Sequence, residues 1–273
     1  MYPASKMIPT PAGNIACWDT EKKAPALLFI HGNSACKEAF SGQFESPLFQ
    51  DYRLVALDLP GHGESDKVVD VAKHGTITQF AKFIGQVSDA LDLKNPVIVG
   101  WSLGGHIAIE MLGQGIKMAG LVISGTPPCG PGADDISAAF IPSPQMALTG
   151  KAEFTDQDAH HYAAHIYGAS VPAKLVQNVK KAQGSVRANI LKNLVELDSA
   201  HEQKKIVATT IVPLAVLQGE NDSFMSLDYF ARLTWNSLWR DKIFVIKDAG
   251  HAPFLDKPRD YNKLLAEFLK DVT

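Results

Sequence analysis

The chain has 273 residues, 46% hydrophobic and 20% charged, an ordinary globular balance with length enough to bury a real core. Its formal charge is −3 and it carries no block of Lys or Arg, which argues against a nucleic-acid partner. Its three cysteines, Cys17, Cys36 and Cys129, are too few and too widely spaced for a disulfide framework or a zinc knuckle, and no run of about 18 apolar residues offers a membrane span.

The opening stretch, MYPASKMIPTPAG, has one lysine and no apolar run, unlike a secretory signal. Together with cysteine usage that suits a reducing compartment, this leads to the expectation of a soluble, cytoplasmic protein, a monomer or weak homodimer. Strands are then predicted at 26–31 (ALLFIH) and 52–59 (YRLVALDL), and a helix over 76–93 from Ile77, Phe80, Ala81, Ile84, Val87 and Leu91. A strand at 96–100 leads into a helix at 103–113, and a further strand follows at 119–124. From Gly125 to Val212 the strand signal disappears and helical patterns occupy 156–167, 173–183 and roughly 187–207. Lys180-Lys181 and Lys204-Lys205 fall in these stretches and read as solvated faces. Strands return at 212–219 and 242–250, and a last helix spans 258–272, with Pro258 in its first turn. The strands are apolar throughout rather than alternating, as in a parallel sheet covered on both faces. Strand–helix alternation of this kind predicts an α/β protein. The intervening 80 or so residues far exceed the dozen or so that one crossover needs, so they are expected to form a helical cap inserted after the sixth strand. The predicted division is a core of residues 1–128 and 210–273 with a cap of residues 129–209.

The chemistry is expected at G-x-S-x-G, residues 100–104. A serine between strand and helix must adopt a strained backbone to project its hydroxyl, and its neighbours two positions away must lack side chains so that strand and helix can meet. The amide N–H groups and positive dipole end of the following helix then face any charge that develops there. Ser102 is the candidate nucleophile. A hydroxyl needs a base, and His251 follows the last strand in a loop before the final helix, where sheets of this type place their chemistry. The base needs an orienting carboxylate. Asp222 and Glu220 both follow the penultimate strand, and Asp222, deeper in the loop, is preferred. The chain order serine, acid, histidine suits this architecture. The backbone amides of Leu103 and Asn33 are the candidate oxyanion donors. Of the remaining histidines, His31 reads as a structural turn device, His106 as packed on its helix, His62 as part of a turn, His74 and His201 as exposed, and His160, His161 and His165 as cap residues.

The segments HGN (31–33), DLPGHGES (58–65), GWSLGG (100–105), GENDSF (219–224) and AGHAPF (249–254) resemble the α/β-hydrolase family, which implies a mostly parallel eight-stranded sheet flanked by helices. HGNSACK, GWSLGGHIAIEM, SGTPP (124–128), MALTG (146–150) and the HAPF loop are similar to the α/β-hydrolase type of N-acyl-homoserine lactonase. That resemblance implies opening of a lactone ring without a metal or other cofactor, and it singles out Tyr162 as a cap residue reaching the site. It also implies glutamate at the acid position, where this chain has Asp222.

The expected substrate is a small ester or lactone with an apolar acyl chain. Ser102 attacks the carbonyl and forms an acyl-enzyme. Tyr162 or the Asn33 side chain hydrogen-bonds the ring oxygen or the substrate amide, and Phe140, Ile141, Met146, Ile166 and Phe224 line an acyl pocket. Three alternatives stand beside this one: a general carboxylesterase using the same residues, a zinc site built from Asp158, His161 and His165, and a ligand receptor on the same fold. Dehalogenase and epoxide-hydrolase chemistry needs an aspartate nucleophile, and position 102 is serine.

Overall fold

The computed structural model describes residues 2–130, 133–168, 171–196 and 202–273. Eight strands form one sheet: β1 (Lys6–Thr10), β2 (Gly13–Asp19), β3 (Ala26–Ile30), β4 (Arg53–Leu57), β5 (Val97–Trp101), β6 (Gly120–Ser124), β7 (Leu214–Gly219) and β8 (Phe244–Ile246). Their spatial order is β1-β2-β4-β3-β5-β6-β7-β8. The β1–β2 and β2–β4 pairs are antiparallel and all others parallel. Every residue of β3, β5 and β6 is buried, which is why those segments read as unbroken apolar runs.

The six strands expected from apolar runs are all present, mostly trimmed at their ends. The predicted strand at 242–250 shrinks to Phe244–Ile246. Beyond it Asp248 adopts φ 56°, and the carbonyls of Ile246 and Ala249 accept the amides of Glu220 and Asn221, so the chain turns toward the end of β7. The strands that apolar runs did not reveal are β1 and β2. They form a hairpin closed at Pro11-Ala12, with Thr10 donating its hydroxyl to the Gly13 carbonyl and Gly13 at φ 113°.

Helices pack on the sheet where the apolar spacing places them. Ile77–Ala90 is capped by the Thr76 hydroxyl, which accepts from the Gln79 amide, and buries Ile77, Phe80, Ala81, Ile84 and Val87. Leu103–Gly113 is buried along most of its length. Pro258–Val272 packs through Tyr261, Leu265, Phe268 and Leu269.

Among the described residues six helices lie between β6 and β7: Ala133–Ala139, Pro144–Leu148, Asp156–Tyr167, Ala173–Lys181, Gly184–Glu196 and Gln203–Thr209. The first two were not expected; Ser143 caps the second, accepting from the Met146 amide. The helix expected at 173–183 stops at Lys181. Its neighbour Gln183 turns its side-chain amide onto the backbone of Val68, donating to the carbonyl and accepting from the amide. The single helix expected over 187–207 corresponds to two, Gly184–Glu196 and Gln203–Thr209; residues 197–201, and with them His201, fall outside the described residues.

One buried cation ties these helices to the rest of the fold. Arg187 donates to the carbonyls of Lys151 (2.7 Å) and Ala152 (3.1 Å) and to the Ser34 hydroxyl (2.9 Å), with its guanidinium 3.6 Å from the Phe154 ring centre. The three cysteines are unpaired and buried. Among the described residues no helix is long and apolar enough to cross a membrane.

Candidate active site

β5 passes into the helix Leu103–Gly113 through Ser102, which adopts φ 53° and ψ −120°. This is costly backbone for a residue with a side chain, on the order of 1–3 kcal/mol. It is pinned by its surroundings: the Ser102 amide donates to the Ser124 carbonyl at 2.8 Å, and its own carbonyl accepts from the Thr126 hydroxyl at 2.9 Å. The flanking glycines answer to close approach. A Cβ on Gly104 would stand 2.1 Å from the Ile30 carbonyl oxygen, and one on Gly100 would stand 2.6 Å from the Gly104 carbonyl oxygen. Strand and helix can meet at this turn only without side chains there.

The loop after β8 carries His251, and the loop after β7 carries Asp222. Both are buried, and His251 Nδ1 lies 2.9 Å from Asp222 Oδ2. Two further donors converge on the carboxylate: Gln218 Nε2 on Oδ2 at 2.7 Å and the Phe224 amide on Oδ1 at 2.9 Å. Burial works to raise the Asp222 carboxyl. The facing His251 charge and the hydrogen bonds from His251, Phe224 and Gln218 outweigh it and hold the group below the ordinary carboxylate range. The acceptor-only carboxylate fixes the proton on Nδ1 and leaves Nε2 as the basic nitrogen. Trp101 Nε1 donates to the His251 carbonyl at 2.8 Å, so the residue preceding Ser102 holds the backbone of His251. Glu220, the alternative acid, is exposed and accepts from the Asp248 amide at 3.0 Å.

Ser102 and His251 line a single cavity of about 320 Å³ with almost entirely apolar walls. Leu103 and Asn33 line it too. As the first residue of its helix, Leu103 has no acceptor for its amide within that helix. The Asn33 side chain is held by the protein, its Nδ2 donating to the Thr149 carbonyl at 2.8 Å and its Oδ1 accepting from the Ser34 hydroxyl at 3.2 Å. Tyr162 lies in the cavity wall with its hydroxyl 3.4 Å from the Asn33 carbonyl oxygen, and burial pushes its phenol pKa up.

Of the apolar residues expected to line an acyl pocket, Phe140, Met146 and Phe224 line this cavity. Ile141 and Ile166 do not. Ile141 is 41% exposed, with its amide tied to the Phe224 carbonyl, and Ile166 is buried in the core on the turn after Tyr162. The walls that sequence reasoning missed come from Ile136, Ile190, Leu191, Leu194 and Met225, and from the polar His106 and Thr149. The helical spacing of Ile190, Leu191 and Leu194 was the available signal.

His31 and His62 act structurally. His31 Nε2 accepts the Leu59 amide and His62 Nε2 accepts the Ser34 amide, which joins the loop after β3 to the turn after β4. Burial holds their imidazoles at about 4 and, with His31 as a repelling neighbour, about 3. His74, expected to be exposed, is half-buried and edge-on to Phe83. Two of the three residues of the zinc alternative, Asp158 and His165, are engaged elsewhere. Asp158 accepts from Lys151 and caps its helix with Thr155, and His165 Nε2 lies 2.9 Å from the Ser223 hydroxyl. Among the described residues no three His, Cys, Asp or Glu side chains converge as a metal-binding set.

The chain belongs to the alpha/beta hydrolase family, whose model matches residues 27–264. It is therefore a hydrolase of that family, with relatives among the esterases and lactonases. A variant of the N-acyl homoserine lactonase AidH complexed with N-hexanoyl homoserine lactone matches it with a TM-score of 0.95 at 34% identity, covering 99% of this chain and 98% of that one. AidH complexed with N-butanoyl homoserine also gives 0.95, at 34% identity and 99% and 97% coverage. Relatives by sequence act on other substrates. A 2-hydroxy-6-oxononadienedioate/2-hydroxy-6-oxononatrienedioate hydrolase of Burkholderia vietnamiensis is 25% identical over 270 residues, 92% of this chain and 89% of that protein. A pimeloyl-[acyl-carrier protein] methyl ester esterase of Xylella fastidiosa is 25% identical over 253 residues, 90% and 95%.

Proposed function

We propose that this protein is a serine hydrolase that opens the ring of N-acyl-homoserine lactones through an acyl-enzyme, and so silences these bacterial signals in the cytoplasm. The observation that carries the reading is the His251–Asp222 hydrogen bond at the rim of an apolar cavity that also exposes Ser102 on its strained turn. The likeness to AidH along nearly the whole chain supports the lactone as substrate.

In this mechanism His251 Nε2 removes the Ser102 hydroxyl proton as Oγ attacks the ring carbonyl. The Leu103 and Asn33 amides hold the oxyanion. The carbon–oxygen bond of the ring breaks, His251 returns the proton to the departing ring oxygen, and the freed hydroxyl stays tethered in the acyl-enzyme. Water, deprotonated by His251, then attacks the ester and releases the open N-acyl-homoserine with Ser102 restored. Tyr162 bears on the ring, and Phe140, Met146 and Phe224 hold the acyl chain. Residues 129–209 act as a cap over a core of 1–128 and 210–273, a reading supported by the cavity walls that Ile136, Tyr162, Ile190 and Leu194 supply from the helices after β6.

Mass spectrometry of N-hexanoyl homoserine lactone after incubation tests this. The expected result is the gain of one water, with kcat lowered by about 10⁶ in Ser102→Ala, the scale of losing a nucleophile of this kind. Hydrolysis of p-nitrophenyl esters with the lactone left intact reduces the reading to a carboxylesterase. Near-normal turnover of every ester and lactone by Ser102→Ala overturns the mechanism.

A further inference from the structure

His106 and Thr149 are polar side chains of the cavity wall without a task in the proposed mechanism, and the Thr149 hydroxyl is spent on the Met146 carbonyl at 2.6 Å. His106 stands one helical turn beyond Ser102, and side chains on a helix lean toward its N-terminus, so the imidazole leans back toward the nucleophile. It is 4% exposed and lines the same cavity as Ser102 and His251.

Its tautomer is fixed by one partner. Gln203 makes two contacts with His106: its Nε2 donates to the His106 carbonyl at 3.3 Å, and its Oε1 lies 2.8 Å from His106 Nδ1. A carbonyl only accepts, so the first contact sets the orientation of the Gln203 amide. Its oxygen must then face Nδ1, which therefore carries the proton. Nε2 is left as a lone-pair acceptor with no hydrogen-bond partner among the described residues. Burial holds the ring's pKa down to about 4, so it stays neutral and keeps that lone pair through the physiological range. An unpaired acceptor in a largely apolar wall selects a ligand that brings a donor.

We propose that His106 Nε2 accepts the hydrogen bond of the acyl-amide N–H, making it a specificity-determining residue that distinguishes N-acylated lactones from lactones lacking that donor. The assignment rests on the lactonase reading. In such a substrate the amide nitrogen is two bonds from the carbonyl carbon that Ser102 attacks, so a group one turn along the same helix is suitably near. An analogue with no N–H leaves the acceptor buried and unpaired.

The test compares kcat/KM for N-hexanoyl homoserine lactone with that for its carba-analogue, in which CH2 replaces the amide NH. Wild-type protein is expected to favour the amide by about tenfold to a hundredfold, the usual cost of leaving one buried acceptor unmet. In His106→Phe the ratio falls toward one. A second measurement needs no variant: ¹⁵N shifts of the His106 ring in the wild-type protein should show Nδ1 protonated and Nε2 bare. Equal ring opening of the two lactones by wild-type protein, an unchanged ratio in folded His106→Phe, or a protonated Nε2 overturns the assignment and leaves the lactonase reading standing. If neither lactone opens while p-nitrophenyl hexanoate is hydrolysed, it is the lactonase reading that fails.

Discussion

Replacing Asp222 by asparagine separates the charge of the carboxylate from its shape. Three donors meet it, with His251 and Gln218 on Oδ2 and the Phe224 amide on Oδ1. An asparagine oriented with its oxygen at the Oδ2 position keeps two of these bonds and sets its NH2 against one N–H. The opposite orientation keeps one and opposes two. The first is therefore favoured, and it preserves the proton on His251 Nδ1. Where such an exchange flips the imidazole to the wrong tautomer, the loss in kcat is about 10⁴. On the proposed mechanism the main loss is the missing anion beside the imidazolium that forms in the transition state. Unit charges about 4 Å apart in an effective dielectric of 20 attract by about 4 kcal/mol, or about 10³ in rate. The unpaired Phe224 amide costs a further 1–3 kcal/mol or so in stability. The assay is kcat/KM on p-nitrophenyl hexanoate, with the thermal transition followed in parallel. A folded Asp222→Asn that retains more than a tenth of wild-type kcat/KM refutes the assigned role of the carboxylate.

Gly104→Ala should destabilise the fold by about 1–3 kcal/mol or more and lower kcat, because its new methyl would meet the Ile30 carbonyl at 2.1 Å and force strand and helix apart under Ser102; a variant with unchanged Tm and activity counts against that packing. Acid should destabilise the protein before the carboxylates titrate. His31, His62 and His106 have their folded-state pKa values depressed from 6.5 to about 4, 3 and 4, so below 6.5 the unfolded chain binds protons that the folded chain refuses. Their stabilisation is complete above pH 6.5 and declines as pH falls toward 4, by about 2 kcal/mol each at pH 5; a Tm flat between pH 7 and 5 contradicts this. Prolonged dialysis against EDTA should leave turnover of N-hexanoyl homoserine lactone unchanged, since Asp158 and His165 are engaged with other groups; a loss reversed by zinc would restore the metal alternative.

What the sequence disclosed follows the range of the forces involved. The helices Leu103–Gly113, Asp156–Tyr167 and Pro258–Val272 were legible to the residue because local devices end them: Ser102 on its turn, the Thr155–Asp158 capping box and Pro258 in the first turn. The hairpin of β1 and β2 was not. It lies at the edge of the sheet, β1 alternates between half-buried and exposed residues, and Pro9 and Pro11 weaken its strand signal. Ser102, Asp222 and His251 were candidates because the expected chemistry requires those residue types after strands, and the structure sets His251 2.9 Å from Asp222 and puts Ser102 and His251 on one cavity. The cavity walls could not be named, because which helix face meets which is decided by packing across the fold. Ile166 and Tyr162, one turn apart and both buried, show the difference: the cavity reaches Tyr162 and stops short of Ile166.

The bond from the Trp101 indole to the His251 carbonyl links positions 150 residues apart. The two loops that carry hydroxyl and imidazole are thereby buckled into one jaw, with the sheet as its hinge pin. The walls that Ile190 and Leu194 supply from a helix after β6 take no part in that bond, so a substitution there leaves the link between the Ser102 turn and His251 in place.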